Sequence, residues 1–434
     1  MHTLNIIFKE KELRSKCLIT LFILVACQAV TAIPTPGVNT EYFLSMFSGN
    51  SAFGFLNMLT GNGLSRMTIG ALGITPYITA SIVIQLLAVV IPGIKELQKD
   101  GKAGQRKIEI ATLVSGIILS FLQGLLLAIG FGKSGLLLNY KWYWVLLSAS
   151  SWAVGTLLLA LAGQYIKDHY FKNGISLILV AGILSSYPQS AANVYDVFLA
   201  GQKPAIAAAN ALVIFILLFL IFIVTVAVQE GEKTLYVTSS KRIGRNAFPT
   251  KTDIPIKLCP GGVVPVIFAS TVFTIPTVIA LTTDSDWFIF NMLNTSAWFD
   301  VDHPEYTMGA IIYIALILSF SILYTGIVFN PYEIADNLKK GGDAIAGVRP
   351  GKSTAEYIRR EMRYPVIFGG VALCLIACIP IVVGAIWGLG QLAFLGTSLI
   401  IVIGVILEMR KQILTEANFG SYKSALKNGG IFHA

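Results

Sequence analysis

Apolar residues along this chain occur in runs of about twenty, separated by shorter polar stretches. A helix rises about 1.5 Å per residue and the hydrocarbon core of a bilayer is about 30 Å thick, so runs of this length predict membrane-spanning helices. The runs lie near residues 16–33, 72–91, 107–130, 142–165, 174–195, 205–229, 262–283, 308–329, 365–387 and 391–413. The pattern therefore predicts an all-α polytopic membrane protein with ten transmembrane helices.

Composition and charge placement support this interpretation and add an orientation. The chain is 55% hydrophobic and 13% charged, whereas about 25% of residues are charged in soluble proteins. With the N-terminus in the cytosol, the cytosolic segments hold all of the 32 lysines and arginines except Arg66, Lys133, Lys141 and Lys203. Because basic residues are retained on the cytoplasmic side, we expect a multi-pass protein of the cytoplasmic membrane with both termini cytosolic.

The N-terminus has a second interpretation. Residues 9–32 have the basic and apolar regions of a secretory signal, and the residues before Cys27 resemble a lipoprotein cleavage site. Cleavage there would leave nine helices. The distribution of basic residues favours a retained first helix.

The order of the runs suggests two halves. Five helices precede a polar stretch near 196–204 and five follow it, so we predict an N-terminal half at 1–200 and a C-terminal half at 201–434. An odd number of spans per half gives the halves opposite orientations, and many transport proteins place their working site between such inverted repeats. An inverted-repeat secondary transporter is therefore one alternative.

The second predicted span is interrupted. Thr75 and Pro76 are typical of a helix start, with a hydroxyl cap before a proline, and Pro92–Gly93 ends the run. The helix between these points is only about 24 Å long. Irregular backbone at membrane depth survives only where it is buried in protein or faces a water-filled cavity. The Gly- and Asn-rich residues 51–67 just before it are then a re-entrant segment, or else a surface loop.

Charged side chains are almost absent from the spans, which favours a passive conduit over an ion-coupled carrier. The histidines lie in loops or near the ends, so the spans hold no catalytic constellation. The sequence AGVRPGKS at 346–353 lacks the first glycine of a phosphate-binding loop, where Ala346 stands. Cys374 and Cys378 share a helix face without a histidine or carboxylate at metal-ligand spacing. We therefore predict no enzyme activity, no cofactor and no metal site.

Six separated motifs occur in order along the chain. They are IPTPGVN at 33–39, FLNMLTGNGLSRMTIGALGITPYITASIVIQLL at 55–87, NGIS at 173–176, GGVVPVIFAS at 261–270, NPYEIADNLKKGG with GVRPGK at 330–352, and GTSLIIVIGVILE at 396–408. With these motifs the chain resembles the SecY/Sec61-alpha family of protein-translocation channels from about residue 13 to 427. The resemblance implies a protein-conducting channel between the two halves, driven by the motor SecA or by the ribosome. Such a channel passes unfolded secretory polypeptides and releases membrane helices sideways into lipid.

The resemblance also implies roles for individual residues. The pore ring would be Ile74, Ile78, Ile175, Leu179, Ile267 and Ile401. The plug, at about 53–65, would include Phe53, Gly54, Phe55, Leu56, Asn57, Met58, Leu59, Gly61, Gly63, Leu64 and Ser65. The lateral gate would be lined by Thr79, Gln85, Gln123, Thr271 and Thr274. Partner docking would use Lys241, Arg242, Arg245, Lys339, Lys340, Arg349 and Lys352, in loops 230–261 and 330–364.

The implied partners are SecE and SecG as complex subunits, SecA, the ribosome, signal sequences and membrane lipid. Three departures from the family pattern bear on partner affinity: KDHYFK at 167–172, Cys259–Pro260, and Arg245–Asn246 in a docking loop. An accessory member of the family that serves a few substrates is therefore a further alternative.

Overall fold

The computed structural model describes residues 11–41, 43, 54–198, 200, 203–239, 251–283, 292, 298, 304–386 and 390–427, and most of these are helical. The helices are α1 (Lys11–Val30), α2 (Gly54–Leu59), α3 (Thr75–Val90), α4 (Pro92–Lys99), α5 (Gly101–Phe131), α6 (Trp142–His169), α7 (Gly174–Phe198), α8 (Pro204–Glu230), α9 (Val264–Thr283), α10 (Thr307–Val328), α11 (Pro331–Gly341), α12 (Lys352–Ile386) and α13 (Gly390–Lys427). The strands are β1 (Glu232–Ser239), β2 (Lys251–Lys257) and β3 (Asp343–Ile345).

Each of the ten predicted spans falls on a helix, so the mostly helical membrane fold is confirmed. Among the described residues, seven helices are long and apolar enough to cross a membrane. An eighth span results if α3 and α4 are counted together, although the chain bends by 107° between them. The count of ten spans stays a prediction.

The start of α3 differs in one detail from the sequence prediction. The helix begins at Thr75 with Pro76 in its first turn, as expected, but its N-cap is Ile74 and no side chain caps it. The Thr75 hydroxyl is buried and has no hydrogen-bond partner among the described residues. The predicted hydroxyl cap is therefore wrong, because Thr75 already has helical backbone and its side chain lies past the cap position.

The chain forms two compact units. Unit one comprises Met1–Leu212, Thr274–Phe290 and Ile401–Ala434, and unit two comprises Val213–Phe273 and Asn291–Ile400. The predicted halves at 1–200 and 201–434 stay a prediction.

In unit one, the residues after α1 are held against the segment that leads into α3. The Trp152 Nε1 donates to Thr35 Oγ1 at 2.9 Å, and the Thr35 backbone N–H donates to the carbonyl of Met67 at 3.1 Å. The Ile69 N–H donates to the carbonyl of Ile33 at 2.8 Å. Phe43, Leu64, Met67, Phe131 and Trp152, all at most 1% exposed, pack in one apolar cluster here. The irregular backbone before α3 is thus buried and hydrogen-bonded, as its depth requires.

Unit two carries a small antiparallel sheet with strand order β2-β1-β3. Leu235 and Val237 are buried while Tyr236 between them is 60% exposed, the alternation of a strand with one covered face. Ile358 and Met362 of α12 pack on the covered face. This sheet was not predicted, although the alternating residues of Thr234–Thr238 carry its signal.

Candidate functional site

The predicted pore ring is mostly buried. Ile74, Leu179, Ile267 and Ile401 are at most 6% exposed, whereas Ile78 and Ile175 are half-buried. Five of these residues belong to unit one, and Ile267 belongs to unit two. Ile74 is the N-cap of α3 and Ile78 follows one turn later, where its N–H donates to the Ile74 carbonyl at 3.1 Å. The break in the second span therefore determines where these two side chains stand.

The plug segment, defined here as residues 54–65, has an internal hydrogen-bond network centred on Asn57. The Asn57 Nδ2 donates to Asn62 Oδ1 at 3.1 Å, and the Ser65 N–H donates to Asn57 Oδ1 at 2.9 Å. The Asn57 carbonyl also accepts from the Asn62 N–H at 2.9 Å and the Thr60 hydroxyl at 3.1 Å. One amide side chain thus holds the short helix α2 to the turns that follow it. Phe53 and the side chains of Phe55 and Leu56 lie outside the described residues.

Two glycines bring the plug segment into contact with α7. Gly61 has φ +66°, a conformation that favours glycine. A Cβ built on Gly182 of α7 would lie 2.6 Å from the Leu59 carbonyl oxygen, which is too close for any side chain. The Ser185 hydroxyl accepts from Gln28 Nε2 of α1 and lies 3.4 Å from the Gly61 carbonyl oxygen, to which it donates. The plug segment is therefore seated by close backbone contact and neutral hydrogen bonds.

The seated plug segment lies next to the ring residues of unit one. A Cβ built on Gly73, directly before Ile74, would lie 2.9 Å from Thr60 Cγ2 of the plug segment. The Gly73 carbonyl accepts from the buried Thr156 hydroxyl at 3.0 Å, and Ser120 Oγ lies 2.9 Å from Thr156 Oγ1. Met58, Leu59 and Leu64 are at most 5% exposed. The structure thus brings plug and ring residues together in a part of unit one that these bonds hold without any charge.

Polar side chains of the predicted gate are satisfied within their own helices. The Thr79 hydroxyl donates to the Thr75 carbonyl at 3.0 Å, and the Thr271 hydroxyl donates to the Ile267 carbonyl at 2.8 Å. The Gln85 Nε2 donates to Ser81 Oγ at 3.1 Å. Gln123 is half-buried on α5, and the side chain of Thr274 lies outside the described residues.

The predicted docking residues are split between described and undescribed segments. Lys241, Arg242 and Arg245 lie outside the described residues. Lys339 and Lys340 occupy the last turn of α11, Arg349 lies in the following turn, and Lys352 begins α12. All four are exposed. With the sheet β1–β3, helix α11 and the start of α12, they form what is called here the basic platform of unit two.

Capping chemistry explains the NPYEIADNLKKGG motif within the platform. The Asn330 side chain accepts from the Tyr332 N–H, Pro331 follows at the first helical position, and Gly342 ends α11 with φ +76°. Lysines in the last turn also suit the negative end of the helix dipole. In the turn that follows, the Thr354 hydroxyl donates to the Arg349 carbonyl at 2.9 Å. The motif therefore fixes a helix and a turn whose charged side chains point to solvent.

Comparison with known proteins identifies the family. The SecY family model matches residues 68–410. A protein translocase subunit SecY of Bacillus licheniformis is 35% identical over 98% of this chain and 99% of its own length. The chain belongs to the SecY family.

Solved structures of the same fold agree with this assignment. A protein-conducting channel matches with a TM-score of 0.64 over 96% of this chain and 94% of its own length, at 18% identity. Sec61 from a canine ribosome–channel complex matches with a TM-score of 0.61 over 96% of this chain and 94% of its own length, at 17% identity. With its apolar helices, the chain is a multi-pass membrane protein of the SecY family.

One polar pair escaped the sequence prediction. The Asn173 Nδ2 of the NGIS motif donates to a carboxylate oxygen of Glu408, a residue 235 positions away at the end of the last motif. The sequence suggested only a solvated charge for Glu408, beside Arg410 and Lys411. A carboxylate within an apolar run was the available signal, because such groups are placed only where partners satisfy them. Nothing in the sequence identified the partner.

The phosphate-loop lookalike has a strand before it and a helix after it, but in the wrong architecture. β3 precedes residues 346–351 and α12 follows them, yet the sheet is antiparallel throughout. A phosphate-binding loop requires a βαβ unit, and its first glycine is Ala346 here. SecY proteins are channel subunits, and this chain is a channel subunit and not an enzyme.

Proposed function

We propose that this chain forms the channel of a protein translocase in the cytoplasmic membrane. It passes unfolded secretory polypeptides across the membrane and releases membrane helices sideways into lipid. The observation that carries the proposal is the plug segment, seated by neutral hydrogen bonds beside the ring residues Ile74 and Leu179. Family membership over nearly the whole chain supports the same function.

An apolar ring suits a conduit for polypeptides. Side chains of Ile and Leu offer no ligand to an ion, and a narrow apolar constriction sheds water and so blocks ions when closed. Ile side chains also contact any residue of a passing chain without selecting for charge. The proposed ring is Ile74, Ile78, Ile175, Leu179, Ile267 and Ile401.

Plug release requires that the seated state be stable but not tightly bound. Each neutral hydrogen bond between the plug segment and α7 contributes about 1 kcal/mol, and burial of Met58, Leu59 and Leu64 adds apolar contact. No charge has to be desolvated or exposed when the segment leaves. The incoming polypeptide can therefore displace the plug by replacing these contacts with its own.

The basic platform supplies a docking surface for the driving partner. Lys339, Lys340, Arg349 and Lys352 present positive charge on a rigid helix–turn–helix frame, which suits an acidic or phosphate-rich surface. In the proposed orientation the platform, with Lys241, Arg242 and Arg245, is cytosolic and meets SecA or the ribosome. SecE and SecG complete the complex. The lateral gate would be lined by Thr79, Gln85, Gln123, Thr271 and Thr274.

Site-specific photocrosslinking tests the function. A photoreactive residue is placed at Ile78 or Ile267, with Phe215, a 68% exposed residue of α8, as the control position. Vesicles containing the chain with SecE and SecG receive SecA, ATP and a precursor arrested by a folded C-terminal domain. We expect precursor crosslinks from Ile78 and Ile267 that disappear without ATP, and none from Phe215.

Two outcomes would contradict the proposal in different ways. Export without crosslinks from either position would mean that these residues pack the core and line no path. Export that fails for general precursors with every partner present would favour an accessory member that serves few substrates. Solute uptake that depends on an ion gradient would favour a secondary transporter.

A further inference from the structure

The hydrogen bond between Asn173 and Glu408 joins the start of α7 to the middle of α13 within unit one. Both side chains are half-buried. A carboxylate removed from water is costly unless donors satisfy it, and hydrogen bonds to a charged group are worth about twice a neutral one. This is therefore a strong and directional link between two helices that otherwise meet through apolar side chains.

The two residues lie close in sequence to ring residues. Asn173 precedes Ile175 by two positions and Leu179 by six. Glu408 follows Ile401 by seven positions, about two helical turns or roughly 10 Å along the same face of α13. The pair therefore stands on the C-terminal side of Ile401, where it can set the position of α13 against α7.

The NGIS motif is built so that Asn173 has one position. A Cβ on Gly174 would lie 2.2 Å from the Gly163 carbonyl oxygen of α6, so the chain turns into α7 in close contact with the preceding helix. A Cβ on Gly163 would in turn lie 3.0 Å from Ile175 Cγ1. The Asn173 carbonyl accepts from the Leu177 N–H at 3.1 Å. The Asn173 amide is thus held by a rigid corner, and the mobile partner of the pair is α13.

A second polar link between α13 and another helix is weaker. Lys16 Nζ lies 3.2 Å from Glu416 Oε1, with side chains 28% and 38% exposed. Salt bridges exposed to this extent contribute little, because water competes and long side chains lose freedom. This pair lies two turns beyond Glu408 and serves as an internal comparison.

We propose that the Asn173–Glu408 pair is a clasp that holds Ile401 of α13 against Ile175 and Leu179 of α7 and so keeps the ring closed. Asn173 and Glu408 are positioning residues, and neither touches the translocating chain. The inference rests on the proposed channel function. It assigns the last motif's carboxylate a task in closing the pore.

An isosteric exchange tests the clasp. Asn173→Asp places a second carboxylate against Glu408 and removes the donor, so the pair repels. Adding Glu408→Gln restores a donor and an acceptor of the original lengths with their roles reversed. Glu408→Gln alone keeps an acceptor for the Asn173 amide, and Lys16→Gln removes the comparison pair.

Ion leak of vesicles containing each variant with SecE and SecG is the first measurement. We expect about tenfold faster leak for Asn173→Asp, since a charge-assisted bond is lost, and near-normal leak for the double variant, Glu408→Gln and Lys16→Gln. Export of a precursor with a defective signal sequence should rise and fall in the same order. Wild-type leak in Asn173→Asp with normal complex assembly would overturn the proposal.

A distance measurement separates this proposal from the channel function itself. In a chain without native cysteines, spin labels at Leu184→Cys of α7 and Ile406→Cys of α13, both on exposed positions, report the separation of the two helices. We expect a broader distance distribution in Asn173→Asp and a narrow one after the exchange with Glu408→Gln. A broad distribution with unchanged leak would overturn the clasp as a ring device. A wild-type chain that transports no precursor would contradict the proposed function but leave the distance result valid.

Discussion

The plug segment with its neighbouring ring residues and the basic platform use opposite kinds of polar chemistry. Around the plug, every described polar contact is neutral, made by Asn57, Thr60, Ser185 and the backbone, and the side chains are buried. On the platform, Lys339, Lys340, Arg349 and Lys352 are charged and exposed. A seal has to exclude ions and release on demand, so charge would hinder it. A docking surface has to attract a large partner from solution, and charge acts at a distance. The two regions should therefore fail in different assays.

The largest effect is expected where the plug meets α7. Gly182→Ala places a Cβ 2.6 Å from the Leu59 carbonyl oxygen, so the backbone of the plug segment has to shift. Overpacking typically costs 1–3 kcal/mol, which predicts about tenfold or greater ion leak with unchanged SecA binding. Gly326→Ala in α10 is the matched control, because nothing lies within 4 Å of its Cβ. Equal leak in both variants would mean that the Gly182 contact does not seat the plug.

Charge reversal on the platform should give the opposite result. Arg349→Glu is expected to lower ATP-driven export about tenfold through weaker SecA association, with ion leak as in the wild type. Lys203→Glu, at an exposed lysine before α8, is the matched control. Binding of SecA to vesicles at low and high salt gives the affinity. Unchanged SecA affinity in Arg349→Glu would remove this residue from the docking surface.

A smaller change is expected from the centre of the plug network. Asn57→Leu removes the acceptor of the Ser65 N–H and the donor to Asn62. Such losses cost about 1–2 kcal/mol, so we expect leak to rise several-fold, less than in Gly182→Ala. Protease sensitivity of residues 54–65 in detergent should rise in parallel. A leaky variant whose plug segment stays protected would place the effect elsewhere.

The smallest effect concerns pH and the platform helix α11. The Lys340 ammonium, 2.7 Å from the carboxylate, lowers the pKa of Asp336, and Asp336 raises the pKa of Lys340. The stabilisation is present above the ordinary pKa of an aspartate and is lost as the pH falls through the lowered value. Because both groups are exposed, Asp336→Asn should shift the melting temperature of the complex by no more than about 1 °C at pH 7. A larger shift would mean that α11 relies on this pair more than its caps suggest.

The sequence predicted the helices well because lipid leaves few alternatives. A run of twenty apolar residues in a membrane has to satisfy its own backbone, and a helix does so locally. The short helix at Gly54–Leu59 and the buried backbone before α3 also followed from local glycine and proline placement. The sheet β1–β3 was missed, because its strands are brief and were interpreted only as a charged loop.

The contacts that build the site could not be predicted from local pattern. Asn57 reaches Asn62 and Ser65 only because Gly61 turns the chain with a positive φ. Asn173 and Glu408 meet across 235 residues, and no periodicity links them. The Thr75 cap failed for a related reason, since the true cap position is decided by how the incoming backbone is held.

The hydroxyls of Thr79 and Thr271, each bonded one turn back to a carbonyl of its own helix, have a consequence for what the channel can recognise. A helix surface whose polar groups need nothing from a neighbour offers no directional bond to a passing segment. In the proposed gate, discrimination then rests on how much apolar area a segment brings, which is a graded quantity. Targeting segments with unrelated sequences would be accepted alike once their hydrophobicity passes a threshold, and a single added leucine would count for more than any particular order of residues.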